Sequence, residues 1–220
     1  MEPENPLLDT FFFSLAQKKR PKVCFVGTAS GDAESATQRF YDNMKKHDVE
    51  PSHLSLFKPP PGSLRDFVMD KDVFYVGGGN TRNLLALWKE WKLDRYLKEA
   101  YRAGKVLGGV SAGSICWFEQ GVTDSITGEL NLWKCLGLLK GSNCPHYDGE
   151  KERRPAYHYL VNKGMKPGVA CDDGVAAFFE NERFVEFVSS RPNASGYTVK
   201  KVKNRVLETQ VSPRYLGGKA

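Results

Sequence analysis

Short hydrophobic runs alternate with amphipathic stretches over the first half of the chain. The runs "KVCFV", "DVFYV" and "KVLGG" each lead into or end in glycine, as buried strands do where they enter a turn. Between them, apolar residues recur at helical spacing, which predicts helices over about 33–46, from Asn80 or Thr81 onward, and over 93–102. Strands that alternate with helices of about ten residues are typical of an α/β fold whose largely parallel sheet is covered on both faces.

The pattern changes in the second half of the chain. A helix is predicted over about 154–162 and a strand near 169–171, and two hairpins follow, "VAAFFENERFVEFV" with its turn at Asn181-Glu182 and "YTVKKVKNRVLETQV". The hairpins predict antiparallel strands added at one edge of the sheet. Two other segments are predicted as a short strand ("HLSLFK") and as a mobile loop ("EQGVTDSITGE").

Composition limits the classes of protein that remain. The 220 residues, 40% of them hydrophobic, suffice for one sizeable core, so a single domain over 1–220 is expected, with 1–20 and 212–220 peripheral to it. No run reaches the ~18 apolar residues of a spanning helix, and the N-terminal segment carries acids where a signal peptide carries bases. Five cysteines, an odd number without a C-x-x-C pair, favour reduced thiols and a cytoplasmic location.

The net charge of +6 raises the question of an anionic partner. The basic residues are scattered, apart from the short clusters "KKRPK" and "KKVKNR", and no nucleic-acid-binding motif accompanies them. We therefore expect a basic, solvated surface, and neither nucleic acid nor a membrane as a partner.

The segment Gly109-Val110-Ser111-Ala112-Gly113 fits the G-x-S-x-G nucleophile elbow, with a predicted strand before it and a helix-compatible run after it. In such a turn the flanking positions must be small, because side chains there would collide with neighbouring strands. Ser111 is therefore the candidate nucleophile, and the amide of Ala112 is a candidate oxyanion donor. The same five residues also fit an ordinary glycine-rich turn between a strand and a helix.

A serine nucleophile needs a general base, and the chain has four histidines. His146 follows a proline where a predicted strand meets a loop, which is where open α/β sheets collect functional groups. His158 lies on a predicted helix and is expected to pack, and His47 and His53 are expected at the surface. Cys144 is an alternative nucleophile, but it has no elbow and is expected to be structural.

The base needs an acid, and the oxyanion a second donor. "ACDDG" offers Asp172 and Asp173 at a predicted strand end, where two acids before a glycine could also form a simple turn. Asp124, shortly after the elbow, is the competing acid. "VGGGNT" offers the amides of Gly78 and Gly79, and it lacks the lysine of a phosphate-binding loop.

Four motifs, "FYVGGGNTRNLL", "GGVSAGSICW", "NCPHYD" and "ACDDGVAAFF", resemble in sequence and order the peptidase E (aspartyl dipeptidase) and cyanophycinase family of serine peptidases. The resemblance covers about 22–179. The serine comes first, the histidine 35 residues later and the acid 27 residues after that, whereas α/β-hydrolases place the acid before the histidine. The resemblance implies a flavodoxin-like three-layer sandwich with a mostly parallel sheet, similar to class I glutamine amidotransferases, in which the antiparallel hairpins are additions at the C-terminal edge.

The resemblance also implies roles, position by position: Ser111 as nucleophile, His146 as general base, Gly79 and Ala112 as oxyanion donors, and Asp173 as the acid. Cyanophycinase-like members have a glutamate at the position of Asp173, so the side chain here is one methylene shorter. Asp124 aligns with an aspartate that has been proposed as the acid in peptidase E, and it remains the alternative. No metal and no cofactor is implied.

Peptidase E cleaves after an N-terminal aspartate, so the resemblance implies a small acidic peptide substrate, specifically an Asp-X dipeptide. Candidate substrate-binding residues are Asn80, Arg82, Arg153 and Arg154. The expected protein is a serine peptidase that works through an acyl-enzyme, as a monomer or homodimer. The alternatives are a non-catalytic or ligand-sensing member of the same fold, or an amidase or esterase for another small acyl substrate.

Overall fold

A computed structural model describes residues 4–59, 62–126 and 128–218. It divides into two compact units, the first formed mainly by Asp9–Ser114 and the second mainly by the residues from Ile115 onward. The single-domain organisation stays a prediction. Residues 1–3 and 219–220, at the ends of the segments predicted to be peripheral, lie outside the described residues, as does Thr127 within the predicted loop.

Up to the elbow, the described residues form five α-helices and four strands, in the order α1 (Leu7–Ser14), β1 (Lys22–Val26), α2 (Glu34–Met44), β2 (Glu50–Leu54), α3 (Leu64–Met69), β3 (Val73–Val76), α4 (Thr81–Glu90), α5 (Leu93–Arg102) and β4 (Val106–Gly109). The strands form one parallel sheet in the order β2-β1-β3-β4. All four strands therefore end at the same edge of the sheet, and the turns that follow β3 and β4 are neighbours there.

The first unit is stabilised by aromatic packing between this sheet and its helices. The rings of Phe25 on β1 and Phe40 on α2 stack with centroids 5.2 Å apart, and on α4 the side chains of Leu84 and Trp88 are fully buried. Asn80 caps α4, since its side chain accepts a hydrogen bond from the Asn83 amide. The predicted helices α2, α4 and α5 are confirmed.

The remaining chain begins with a single helical turn, α6 (Ala112–Ile115), and continues as β5 (Phe118–Thr123), β6 (Asn131–Lys134), β7 (Leu139–Cys144), α7 (Arg153–Asn162), β8 (Gly168–Cys171), β9 (Val175–Glu180), β10 (Arg183–Ser189), β11 (Gly196–Val202), β12 (Arg205–Val211) and β13 (Arg214–Tyr215). A six-stranded sheet has the order β12-β11-β8-β7-β5-β6, and a three-stranded sheet has the order β13-β10-β9. Strands β5, β7 and β8 run parallel, whereas β6, β11 and β12 are antiparallel to their neighbours.

Both predicted hairpins are confirmed. In the β9–β10 hairpin, Asn181 and Glu182 have φ values of 49° and 65°, which is the backbone of a type I′ turn. The α/β fold, with a parallel sheet, flanking helices and added antiparallel strands, is likewise confirmed. Within the part of the chain that the structure describes, no helix is long and apolar enough to span a membrane.

Two local predictions were wrong. The strand expected in "HLSLFK" begins earlier, at Glu50, because the edge strand β2 pairs with β1 through a mostly exposed, polar segment whose sequence gives no hydrophobic signal. The segment "EQGVTDSITGE" is not wholly a loop, since its first five residues belong to β5. Glycine at position 121 lets the strand pass close to Ile115, because a side chain there would place its Cβ only 2.8 Å from the Cβ of Ile115.

Candidate active site

Ser111 lies directly after β4, in a turn that forces an unusual backbone. Its φ is 55°, a left-handed value that costs free energy for any residue with a side chain and that occurs mainly where the surroundings fix it. The turn is held by hydrogen bonds from the Val110 amide to the Val76 carbonyl (3.1 Å) and from the Gly113 amide to the Val110 carbonyl (2.9 Å). The serine is therefore presented by a constrained backbone.

The two glycines of the motif are required by one neighbouring atom, the carbonyl oxygen of Val76 on β3. A Cβ at Gly109 would lie 2.2 Å from this oxygen, and a Cβ at Gly113 would also lie 2.2 Å from it. Both distances are far inside van der Waals contact with rigid backbone. The spacing of the glycines around Ser111 is thus explained by the close approach of β3.

Two backbone amides are available beside the elbow. Gly78 lies against the serine, since a Cβ there would be 3.2 Å from the Ser111 Cβ. The next residue, Gly79, has a φ of 134°, and its Cα packs against the Ala29 carbonyl. Among the residues that the structure describes, neither the Gly79 amide nor the Ala112 amide donates a hydrogen bond. Both amides are therefore available to donate hydrogen bonds to an incoming oxyanion.

His146 is placed in the second unit, two residues after the end of β7, and is hydrogen-bonded to Asp173. Its φ of 56° is also left-handed, and its Nδ1 lies 2.7 Å from Oδ1 of Asp173. A proton on Nδ1 donates to the carboxylate and leaves Nε2 with a free lone pair, which is the form of a general base. The adjacent Tyr147 is buried in the core of this unit and anchors the loop.

Asp173 occupies the second position of a β-turn that follows β8. The Val175 amide donates to the Asp172 carbonyl at 3.1 Å, and Gly174 has the positive φ, 85°, that the third position of a type II turn requires. Gly174 is also needed for space, because a Cβ there would lie 2.8 Å from the side chain of Arg191. The turn directs the Asp173 side chain back toward His146.

Sequence reasoning missed two residues that touch Asp173. The Asp148 carboxylate accepts a hydrogen bond from the Asp173 amide at 2.8 Å, and the Cα of Gly149 lies against the Asp173 carboxylate, since a Cβ there would be 2.5 Å from Oδ2. Both follow His146 closely in "HYDG". Their proximity to the histidine was the only signal in the sequence.

Within the described residues, neither of the other candidate acids is hydrogen-bonded to the histidine. Asp172 is buried, and its Oδ2 accepts hydrogen bonds from the Ser195 amide (2.9 Å) and the Tyr197 hydroxyl (3.4 Å). Burial raises the pKa of the Asp172 carboxyl. Asp124 is exposed at the end of β5, and its carboxylate makes no hydrogen bond or ion pair with any residue in the described ranges.

The other histidines and Cys144 are engaged elsewhere. Nε2 of His158 lies 2.7 Å from the Glu208 carboxylate, and Nδ1 of the exposed His53 lies 2.9 Å from a tyrosine hydroxyl. His47 is half-buried rather than fully at the surface, and burial lowers its pKa. Burial raises the pKa of the Cys144 thiol to about 12, which makes it a poor source of thiolate.

The three candidate arginines differ in how they are paired. Arg153 is buried, with its guanidinium donating to Glu150 (2.7 Å) and to the Val122 carbonyl (3.1 Å), and Arg154 is paired with Glu208. Arg82, in the first turn of α4, is exposed and has no hydrogen-bonding or ionic partner within the described part of the chain. Of the three, only the Arg82 guanidinium is available to an external carboxylate.

Comparison with known proteins gives consistent matches. The sequence model of peptidase family S51 matches residues 1–187. An uncharacterized peptidase, YgaJ, of Bacillus subtilis is 53% identical over 218 residues, which cover 99% of this chain and 94% of that protein. Peptidase E of Shewanella amazonensis is 27% identical over 132 residues, covering 54% of this chain and 55% of that one. A crystal structure of a peptidase from an acI-B1 Actinobacterium matches with a TM-score of 0.73 at 18% identity, covering 94% of this chain and 89% of that chain.

Proposed function

Because the chain belongs to peptidase family S51 and is a serine peptidase, we propose that it hydrolyses small acidic peptides, specifically dipeptides with an N-terminal aspartate. We propose Ser111 as the nucleophile, His146 as the general base and Asp173 as the acid. The observation that carries the proposal is the elbow itself. A serine is held at a φ of 55° beside two amides that have no other partner within the described residues.

The proposed reaction has two halves. His146 Nε2 takes the proton of the Ser111 hydroxyl while Oγ attacks the carbonyl carbon of the scissile bond, and the oxyanion accepts hydrogen bonds from the Gly79 and Ala112 amides. The imidazolium then protonates the leaving amine, which departs with the breaking of the C–N bond. A water molecule, whose proton is taken by His146 Nε2, then attacks the ester on Ser111, and the imidazolium returns this proton to Oγ as the C–O bond breaks and the acid product leaves.

The proposed preference for aspartate follows from Arg82 and from a relative. One matching protein is named peptidase E, and the unpaired Arg82 follows the Gly79 amide by three residues at the start of α4. A guanidinium can form two parallel hydrogen bonds with a carboxylate. We therefore propose that Arg82 binds the side chain of the N-terminal aspartate. Asn80, whose side chain caps α4, is proposed to fix the start of this helix.

A panel of X-Ala dipeptides tests the proposal, with X as Asp, Asn, Glu and Ala. We expect hydrolysis of Asp-Ala well above the others, and loss of at least ~10³-fold in Ser111→Ala, which retains only the oxyanion donors. Arg82→Ala is expected to raise KM for Asp-Ala and to remove the preference for Asp over Asn, because the lost contact is to the aspartate side chain. Lys89→Ala, at the exposed end of the same helix, is the matched control.

The outcomes separate the alternatives. Reaction of Ser111 with a fluorophosphonate probe together with silence on every dipeptide would indicate an amidase or esterase for another acyl group. Failure of both probe and peptides would indicate a non-catalytic member of the family. Near-normal turnover by Ser111→Ala would exclude Ser111 as the nucleophile.

A further inference from the structure

The loop after His146 contacts the turn that bears Asp173 through three consecutive residues. The Tyr147 amide donates to the Cys171 carbonyl at 3.0 Å. The Asp148 carboxylate accepts a hydrogen bond from the Asp173 amide at 2.8 Å. The third contact is the close approach of Gly149 to the Asp173 carboxylate.

Each contact constrains a different part of the acid. The bond from Tyr147 fixes the end of β8, and the bond from Asp148 fixes the backbone of Asp173 itself. Since an aspartate carboxyl is only one methylene from its Cα, a displacement of this backbone passes almost undiminished to the carboxylate. Gly149 limits the space beside Oδ2, while Oδ1 makes the 2.7 Å contact with His146.

This support matters because both side chains of the pair are partly exposed. The Asp173 side chain is 39% exposed and that of His146 is 24% exposed, so core packing restrains neither strongly. His146 also has the left-handed backbone described above, which must be stabilised by its surroundings. The loop that carries the histidine is thus the same segment that fixes its partner.

We propose that Asp148 is a positioning residue, which acts through its hydrogen bond to the Asp173 amide and, together with the absence of a side chain at Gly149, holds the carboxylate at the distance that orients His146. The proposal rests on the proposed function, in which Asp173 is the acid of the triad. It assigns to Asp148 no contact with substrate. Its effect is on the rate of the chemical step and not on substrate binding.

The test compares Asp148→Ala with Asp148→Asn, whose amide oxygen can still accept the Asp173 N–H. Asp148→Ala is expected to lower kcat on the best dipeptide by roughly tenfold to a hundredfold with little change in KM, as expected for misplacement of a catalytic group. Asp148→Asn is expected to retain most of the wild-type kcat. The matched control is Gln120→Ala, since Gln120 accepts an equivalent bond from the Lys166 amide at 2.7 Å elsewhere in the same unit.

A second readout does not depend on turnover. The proton that His146 Nδ1 shares with Asp173 should give a far-downfield ¹H NMR signal, assigned by its absence in His146→Ala. We expect the signal to be lost or shifted upfield in Asp148→Ala and kept in Asp148→Asn and Gln120→Ala. If no dipeptide is hydrolysed by the wild type, the proposed function fails, and this signal alone decides whether Asp148 positions the acid.

Three results would overturn the proposal. The first is an unchanged NMR signal in Asp148→Ala. The second is an equal loss of kcat in Asp148→Asn and Asp148→Ala, which would assign the effect to charge and not to the hydrogen bond. The third is a loss confined to thermal stability, equal to that of Gln120→Ala, with kcat unaltered.

Discussion

Replacement of Asp173 by asparagine tests the acid of the proposed triad with a nearly isosteric change. In the structure, Oδ1 of Asp173 lies 2.7 Å from Nδ1 of His146, so the carboxylate can accept a hydrogen bond from the ring N–H and stabilise the imidazolium that forms during attack. An asparagine amide can instead donate to Nδ1. The ring proton then moves to Nε2, and the base loses the lone pair that should accept the serine proton.

The expected size of the effect follows from this change of tautomer. A triad that loses its acid in this way falls by up to ~10⁴ in kcat, which at about 1.4 kcal/mol per factor of ten corresponds to ~5 kcal/mol of transition-state stabilisation. The folded state should lose far less. The side chain is 39% exposed, and substitutions at such positions usually change the free energy of unfolding by about 0.5 kcal/mol or less.

The assay is steady-state hydrolysis of the best dipeptide by Asp173→Asn, with thermal unfolding measured in parallel. We expect kcat to fall steeply, KM to change little and the melting temperature to stay close to that of the wild type. Asp124→Asn is the matched comparison, because its carboxylate is exposed and has no partner among the described residues. A nearly silent Asp173→Asn together with an inactive Asp124→Asn would transfer the role to Asp124 and refute the reasoning from the His146 contact.

Two further predictions concern stability. Gly113→Ala places a Cβ 2.2 Å from the Val76 carbonyl and should lower the free energy of unfolding by about 1–3 kcal/mol. The control Gly218→Ala, whose Cβ would have no neighbour nearer than 3.7 Å, should be neutral. Equal denaturation midpoints for the two variants would contradict the steric explanation of the motif. A hydrogen bond from Lys166, aided by a backbone amide, lowers the pKa of Glu119 from 4.5 to about 2, so Glu119 stabilises the fold above its unfolded pKa and loses this effect as the pH falls toward 2. The stability difference between wild type and Glu119→Gln should therefore be largest near neutral pH and shrink between pH 4.5 and 2, and a constant difference across that window would exclude the ion pair as its cause.

The buried parallel strands and the elbow were predictable because each imposes a local rule on the sequence. A strand buried on both faces must be continuously apolar, as β3 is, and the close approach of the Val76 carbonyl admits only glycine at two positions around Ser111. A steric requirement at single positions therefore produces a motif that can be recognised in the sequence. The order of Ser111, His146 and Asp173 along the chain is part of the resemblance to a family, and this resemblance predicted the type of fold and the roles proposed for these residues.

Other features depend on partners distant in sequence and left no such trace. Strand β5 contains a glycine and polar residues, and it is a strand because β6 and β7 pair with it on both sides. The sequence could not show that Arg153 is buried against Val122 and Glu150 while Arg82 is unpaired within the described residues. Asp148 was not predicted for a related reason, since its proposed role depends on a hydrogen bond from a backbone amide 25 positions away.

The Val76 carbonyl also links the proposed nucleophile to the strand that leads to a proposed oxyanion donor. This oxygen receives the Val110 amide and abuts the glycines on either side of Ser111, while the chain that bears it continues within three residues to Gly79. A fluctuation that displaces β3 should carry the hydroxyl and the Gly79 amide in the same direction, so their separation changes less than the position of either. We expect correlated displacements of Ser111 and Gly79, and an oxyanion geometry that persists at temperatures where the outer strand β2 already frays.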